Sequence, residues 1–330
     1  MSSEFRPQPQ PAPRYREVSI GHAPVAVTEE HGVLHMRSLE PLAELPARLL
    51  DRLVHWARVR PEQTFIAARQ AGGDWRRVSY REMLDSVRAI AQSLLSYGLS
   101  AHKPLALLSG NDIEHLQVAL GAMYAGIPYC PVSPAYALLS QDFAKLRHVC
   151  DLLQPGLVFV SDAAAYQRAI EAVLPAETPL ICVRGQVPGR SQISFASLLH
   201  TPGGAEAEQA FNATGPDSIA KFLFTSGSTK LPKAVITTQR MLCANQQMLL
   251  QTFPVFGEEP PVLVDWLPWN HTFGGSHNVG IVLYNGGTFY LDDGKPTVQG
   301  FAQTLRNLKE ISPTAYLTVC LLYTSSSPRD

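Results

Sequence analysis

An α/β fold, built from parallel sheets covered by helices on both faces, is what the sequence predicts, and three observations predict it. Apolar runs of four to six residues alternate with helical stretches of about a dozen from residue 105 to the end of the chain. The composition, 45% hydrophobic and 17% charged over 330 residues, supplies a sizeable core for one large α/β domain or two smaller ones. No fixed-period repeat points to a solenoid or propeller.

In chain order, Met1 to Pro13 carries prolines at 7, 9, 11 and 13 and no apolar core of a secretory signal, so residues 1–18 read as a disordered Pro-rich tail. Ser19 to Leu39 alternates in short pieces and suits edge strands or a hairpin. Leu49, Leu50, Leu53, Val54 and Ala57 recur at helical spacing until Pro61 stops them. Ser79 is placed to cap a second amphipathic helix bearing Met83, Leu84, Val87, Ile90, Ala91, Leu94 and Leu95, with Gly98 past its end. The alternation then gives strands at Leu105–Leu108, Ile127–Val132, Leu157–Val160 and Leu180–Val183. Between them fall helices from Asn111 or Asp112 to near Gly126, Asp142–Leu153 and Ala163–Val173. Gly185 to Gly215, rich in Gly, Ser, Pro and Ala, reads as a connector. Further on come helices at Thr238–Phe253, Val279–Tyr284 and Val298–Ile311, and strands at Val262–Trp266, Gly287–Leu291 and near Ala315.

Bulk properties narrow the function. A formal charge of −1 gives no field that gathers nucleic acid or acidic membrane, and no apolar segment is long enough to span a bilayer. The five cysteines are scattered, odd in number and never in a CxxC pair, which disfavours a disulfide framework and a structural zinc site; His31 and His35 lack a helical setting and a third ligand. Cytoplasm is the expected compartment; the oligomeric state is not legible.

The stretch that carries chemistry is Phe222 to Val235. An apolar strand leads into Thr225-Ser226-Gly227-Ser228-Thr229-Lys230-Leu231-Pro232-Lys233, and a second strand follows. Hydroxyls, an unhindered glycine backbone and two cations in so short a loop suit a polyphosphate, although composition alone also fits a polar surface turn. Walker A spacing fails, because Pro232 and Ala234 stand where that loop needs Gly and Ser/Thr. No G-x-G-x-x-G follows a predicted strand, and Ser228 lacks the second glycine of a hydrolase elbow.

The pattern Thr225-Ser226-Gly227-Ser228-Thr229-x-x-Pro232-Lys233 resembles the phosphate-binding signature of the adenylate-forming superfamily: acyl-CoA synthetases, luciferases and peptide-synthetase adenylation domains. Trp75 to Gly98 is similar to that family's first long helix, Leu107 with Ser109-Gly110-Asn111 to its N-x-x-E region, and Pro268-Trp269-Asn270-His271 to its aromatic-His segment. The run from Asp265 to Pro296 is most similar to feruloyl-CoA synthases. The resemblance covers roughly Glu40 to Tyr316, so residues 19–316 are expected to form an incomplete AMP-binding N-terminal domain.

The resemblance implies ligation in two steps, with ATP and a small carboxylic acid giving acyl-AMP and pyrophosphate, and CoA then taking the acyl group. Thr225, Ser226, Gly227, Ser228 and Thr229 would bind the phosphates, and Lys233 would offset their charge with Mg²⁺ as partner. His271 would stand near the acid's carboxylate, and Trp269, Phe273, Gly274 and Gly275 would form a slot for an aromatic ring; both tryptophan and phenylalanine also suit a core. Lys230 and Ala234 stand where the superfamily usually has glycine, so Lys230 is a residue under backbone strain, a second cation near the phosphates or a plain surface lysine. The magnesium-binding acid, the ribose aspartate and the C-terminal lid domain with its lysine have no counterpart before Asp330. Residues 317–330 depart from the family and read as a non-native tail, so the chain is expected to be an inactive, C-terminally truncated piece of a ligase. The alternatives are a non-catalytic ATP- or acyl-binding protein, or a ligase for another aryl or fatty acid.

Overall fold

The structure is a computed structural model that describes residues 16–71, 73–225, 231–294 and 300–319. It opens with an antiparallel hairpin, β1 (Val25–Glu30) and β2 (Val33–Ser38), where the sequence suggested edge strands. Helix α1 (Asp51–Val59) starts later than Pro46 and leads to a second hairpin, β3 (Thr64–Arg69) and β4 (Trp75–Ser79), which the sequence reading missed. Trp75 therefore lies in a strand, and the long helix α2 (Tyr80–Leu95) begins only after Ser79. The Ser79 hydroxyl accepts from the Glu82 N–H and Glu82 returns the bond to the Ser79 N–H, a reciprocal capping box that fixes the boundary.

The predicted alternation follows. It comprises β5 (Leu105–Leu108), α3 (Ile113–Tyr124), β6 (Tyr129–Pro131), α4 (Pro134–Leu138), α5 (Ala144–Leu153), β7 (Leu157–Asp162), α6 (Ala163–Val173) and β8 (Leu180–Arg184). The supposed connector contains β9 (Gln192–Ser194), α7 (Phe195–Leu199) and α8 (Ala205–Ala213). Short elements with one or two buried anchors each, Phe195 and Leu198 in α7, Ala207 and Phe211 in α8, leave too little periodicity to show through Ser, Gly and Pro. Then come β10 (Ile219–Thr225), β11 (Lys233–Thr238), α9 (Gln239–Thr252), α10 (Val255–Glu258) and β12 (Val262–Asp265). A π-helical turn, Phe273–Asn278, runs into α11 (Val279–Asn285), followed by β13 (Thr288–Leu291) and α12 (Phe301–Ile311). The strand expected near Ala315 is a single bridge to Leu263.

Two sheets result. The seven-stranded one has the order β11-β10-β6-β5-β7-β8-β9 and the four-stranded one β12-β13-β3-β4. Both are parallel except at one edge, where β11 and β4 run antiparallel to their neighbours because each closes a hairpin. The prediction of parallel sheets under helices holds with that amendment. In β5, Leu105 and Leu107 join one core, and Ala106 and Leu108 join another. The first core also takes Phe65, Ile66, Phe289 and Leu291 from the smaller sheet, with α2 and α3 between the sheets. The second lies on the outer face, under α5 and α6. Burial on both faces explains why the strands read as continuous apolar runs.

Candidate functional site

Strands β5, β6, β12, β13 and β3 all point their carboxyl ends into one cleft between the two sheets. In open α/β sheets this is where ligands bind, because strand-to-helix loops diverge there. The cleft has a volume of about 620 Å³, and its lining includes Ser109, Asn111, Ser133, Trp266, Pro268 and His271.

The segment after β12 is held in place by side chains from elsewhere. The Asn111 amide donates to the Leu267 carbonyl at 2.8 Å and its oxygen accepts from the Trp269 N–H at 3.0 Å, a clamp from the loop after β5. Asp265 accepts from the Leu267 N–H at 3.0 Å and from the Asn278 amide at 2.9 Å, so it bridges both ends of the segment. Burial raises the Asp265 carboxyl to about 6, opposed by these hydrogen bonds. The Gln246 amide of α9 donates to the carbonyls of Ser276 and His277. A Cβ on Gly275 would lie 2.1 Å from the Trp269 carbonyl oxygen, and one on Gly274 would lie 2.5 Å from that of Pro268. The two glycines thus let the turn fold back on its own entry strand.

Of the five residues expected to contact the acid, His271 lines the cleft, whereas Gly275 packs against the Trp269 carbonyl. Trp269 is 3% exposed and belongs to the core, edge-on to His115 and Phe289. Gly274 is buried against the backbone at Leu267 and Pro268, and Phe273 is exposed beside the His277 ring, at 4.9 Å between centroids. Neither they nor Trp269 line the cleft; Trp266, the first residue past β12, lines it instead.

On the other side, β10 and β11 form the arms of the Ser/Thr hairpin. Thr225 and Lys233 sit opposite each other in the register, both exposed, and close its mouth. Ser226, Gly227, Ser228, Thr229 and Lys230 lie outside the described residues. Pro232 is anchored through its carbonyl, which accepts from Nε2 of His148 on α5 at 3.0 Å. Since β10 is parallel to β6, this hairpin mouth opens at the same edge of the sheet as the cleft.

Asp112, one of the two residues expected to cap α3, does so through the His115 N–H at 2.6 Å; burial raises its carboxyl to about 7. Sequence reasoning missed other groups here. The His115 ring nitrogen Nδ1 lies 2.6 Å from the Ser109 hydroxyl, and burial lowers its pKa to about 3, so the imidazole is neutral at physiological pH. Asp292, on the cleft wall after β13, accepts from the Thr304 hydroxyl at 2.6 Å and the Asn307 amide at 2.8 Å, fixing α12 to the sheet. Only the capping pattern at Asp112 left a trace in the sequence; the others depend on chain crossings of more than ten residues or on burial. Among the described residues, no group of three or more His, Cys, Asp or Glu side chains converges as a metal cage.

The model of the family described as AMP-binding enzyme matches residues 53–324. The chain belongs to that family. Curated relatives include a methyl-dioxo-octahydroindenyl-propanoyl:CoA ligase of Rhodococcus jostii, 26% identical over 75% of this chain and 48% of its own length. Luciferin 4-monooxygenase of Photinus pyralis is 23% identical over 62% of this chain and 38% of its own. Long-chain-fatty-acid–CoA ligase ACSBG2 of Xenopus laevis is 20% identical over 84% and 38%. The chain thus spans about half the length of these relatives or less. Among solved structures, a fatty acyl-adenylate ligase of L. pneumophila, in complex with acyl adenylate and pyrophosphate, superposes with a TM-score of 0.64 at 19% identity, over 82% of this chain and 44% of its own. A putative long-chain-fatty-acid CoA ligase of Rhodopseudomonas palustris gives 0.67 at 18% identity, over 85% and 66%. These superpositions establish the fold: the chain has the α/β architecture of adenylate-forming enzymes. Among the described residues no helix is long and apolar enough to cross a membrane.

Proposed function

We propose that this chain is the ATP- and acid-binding part of an acid–thiol ligase, which activates a carboxylate as acyl-AMP and passes the acyl group to CoA. The observation that carries the reading is the arrangement at one sheet edge: the Thr225/Lys233 hairpin mouth stands at the carboxyl end of β10, and His271 lines the cleft at the carboxyl ends of the neighbouring strands. Family membership supplies the class of chemistry.

Adenylation asks the protein for positioning and for positive charge where pyrophosphate leaves. The Thr225 hydroxyl and the Lys233 ammonium, opposite one another and open to solvent, would meet the β- and γ-phosphates, joined by Ser226 to Thr229. Mg²⁺ prefers phosphate and hydroxyl oxygens to a cage of carboxylates; it would arrive on the triphosphate and neutralise part of its charge. On the protein side, the Thr225 hydroxyl at the hairpin mouth is the described oxygen that would face it. His271 would orient the acid's carboxylate, held by the backbone bond from its own N–H to the Pro268 carbonyl at 3.1 Å.

For the acid we propose a hydroxycinnamate of the feruloyl type, from the resemblance of Asp265 to Pro296 and from the flat Trp266 and Pro268 surfaces beside His271 in the cleft. Such an enzyme would serve phenylpropanoid breakdown in the cytoplasm. ATP–pyrophosphate exchange by the complete enzyme, with ferulate, coumarate and a medium-chain fatty acid in parallel, tests both levels. Exchange with the two aryl acids is expected. Exchange with the fatty acid alone overturns the hydroxycinnamate assignment, and no exchange with any acid overturns adenylation.

A further inference from the structure

A lysine stands where β10 has room only for apolar side chains. Phe222 and Phe224 face the outer core, and Lys221, on the opposite face by strand alternation, is 1% exposed. Its Nζ donates to the carbonyl oxygen of Gly275 at 2.9 Å and lies 5.8 Å from the centre of the Tyr129 ring. Among the described residues no carboxylate forms an ion pair with it. Burial lowers its pKa from the ordinary 10.5 to about 7. Taking an ammonium out of water is unfavourable even when it keeps one hydrogen bond. An apolar residue would make a more stable strand, so the amine has a use other than stability.

Its acceptor shows what that use is. Gly275 lies inside the π-helical turn Phe273–Asn278, and its carbonyl takes the lysine's bond from outside that turn. The Gly275 N–H donates to the His271 carbonyl at 2.9 Å, so a displacement of Gly275 is passed directly to His271. The lysine thus joins the strand that ends at Thr225 to the backbone that carries His271.

We propose that Lys221 is a positioning residue for the acid side of the adenylation site: it holds the Phe273–Asn278 turn, and His271 before it, against the strand that runs into the phosphate loop. The proposal rests on the adenylation reading above. Strand β10 is fixed independently by β6 and β11, whereas the turn, left to its bonds from Gln246 and to Asp265, shifts at Gly275 when the lysine bond is lost, so binding of the acid suffers and binding of ATP does not.

Lys221→Met keeps the length of the side chain and removes the donor, and it is expected to fold with a melting temperature at or above that of the parent. In the 330-residue chain, hydrogen exchange at residues 270–278 accelerates about tenfold while α3 and β5 stay unchanged, which is the loss of one hydrogen bond. In the complete enzyme, KM for the acid rises about tenfold and KM for ATP stays within about twofold. In a His271→Ala background the same substitution adds little, because the residue it positions is gone. Unchanged exchange in the turn, parallel rises in both KM values, or an undiminished effect beside His271→Ala would overturn the proposal. If the parent enzyme catalyses no acid-dependent pyrophosphate exchange, the adenylation reading falls by itself, and hydrogen exchange still decides whether Lys221 holds the turn.

Discussion

The two sides of the site are built by opposite means. The hairpin mouth at Thr225 and Lys233 consists of neighbours in sequence, both exposed, and its described anchor from outside is the His148 bond to Pro232. The Leu267–Asn278 segment is held by Asn111, Asp265, Gln246 and Lys221, side chains that reach it from four different elements or loops. A loop for phosphate can be local, because backbone N–H groups and hydroxyls in consecutive residues already converge on an anion. A histidine proposed to meet a carboxylate in line would have to be fixed relative to a distant loop, and that demands long-range bonds. Changes on the first side should therefore alter chemistry and spare stability, and changes on the second should alter both.

The largest effect is expected at Lys233. Lys233→Ala in the complete enzyme should lower kcat/KM for ATP about a hundredfold, the scale of losing one charged group at a developing anion, and leave the melting temperature alone. Kinetics equal to the parent's would remove Lys233 from the phosphate site. Gly275→Ala should come next in size and act through structure: its Cβ would lie 2.1 Å from the Trp269 carbonyl, and the strain should amount to about 3 kcal/mol in denaturant unfolding. Asn111→Ala breaks both bonds of the clamp and should cost about 2 kcal/mol while raising KM for the acid more than KM for ATP. Equal stability with a selective loss of ATP binding would reverse the comparison drawn above.

The smallest effect is one of pH. Because the folded pKa of Lys221 lies near 7 and its ordinary value is 10.5, the unfolded chain binds more protons between those limits. The contribution of Lys221 to stability therefore rises with pH across that window and is lost as pH falls through about 7. The stability gained by Lys221→Met should accordingly be greatest at pH 7 and below and shrink toward pH 10.5, measured as the difference between urea midpoints. A pH-independent difference would mean that the amine keeps its ordinary pKa in the folded chain, as a solvated ammonium does.

Much of the fold was open to reading from residues alone. The strand at Leu105–Leu108 and the helix at Ala163–Val173 carry signals that are local, a buried apolar run and a helical repeat, and both matched the structure residue for residue. The hairpin of β3 and β4 was missed because Arg69, Arg76 and Arg77 interrupt its pattern. The Arg69 guanidinium is satisfied by Asn307, Gly73 and Glu310, and two of these three lie far along the chain. The site divides in the same way. Thr225, Lys233 and His271 were named from motifs, whereas Asn111 as a clamp, Asp265 as a bridge and the assignment of Trp269 to the core followed from contacts.

The sequence by itself determined the alternating α/β plan and the hydroxyl-rich loop, since strand period, helix period and loop chemistry are properties of adjacent residues. Tertiary structure alone decided which sheet edges run antiparallel, which aromatic faces the cleft, and that Lys221 is buried on the Gly275 carbonyl. Those outcomes depend on what a side chain meets across the fold. A lysine in a strand reads as exposed until its neighbours are known, and burial then sets its charge, its partner and its use.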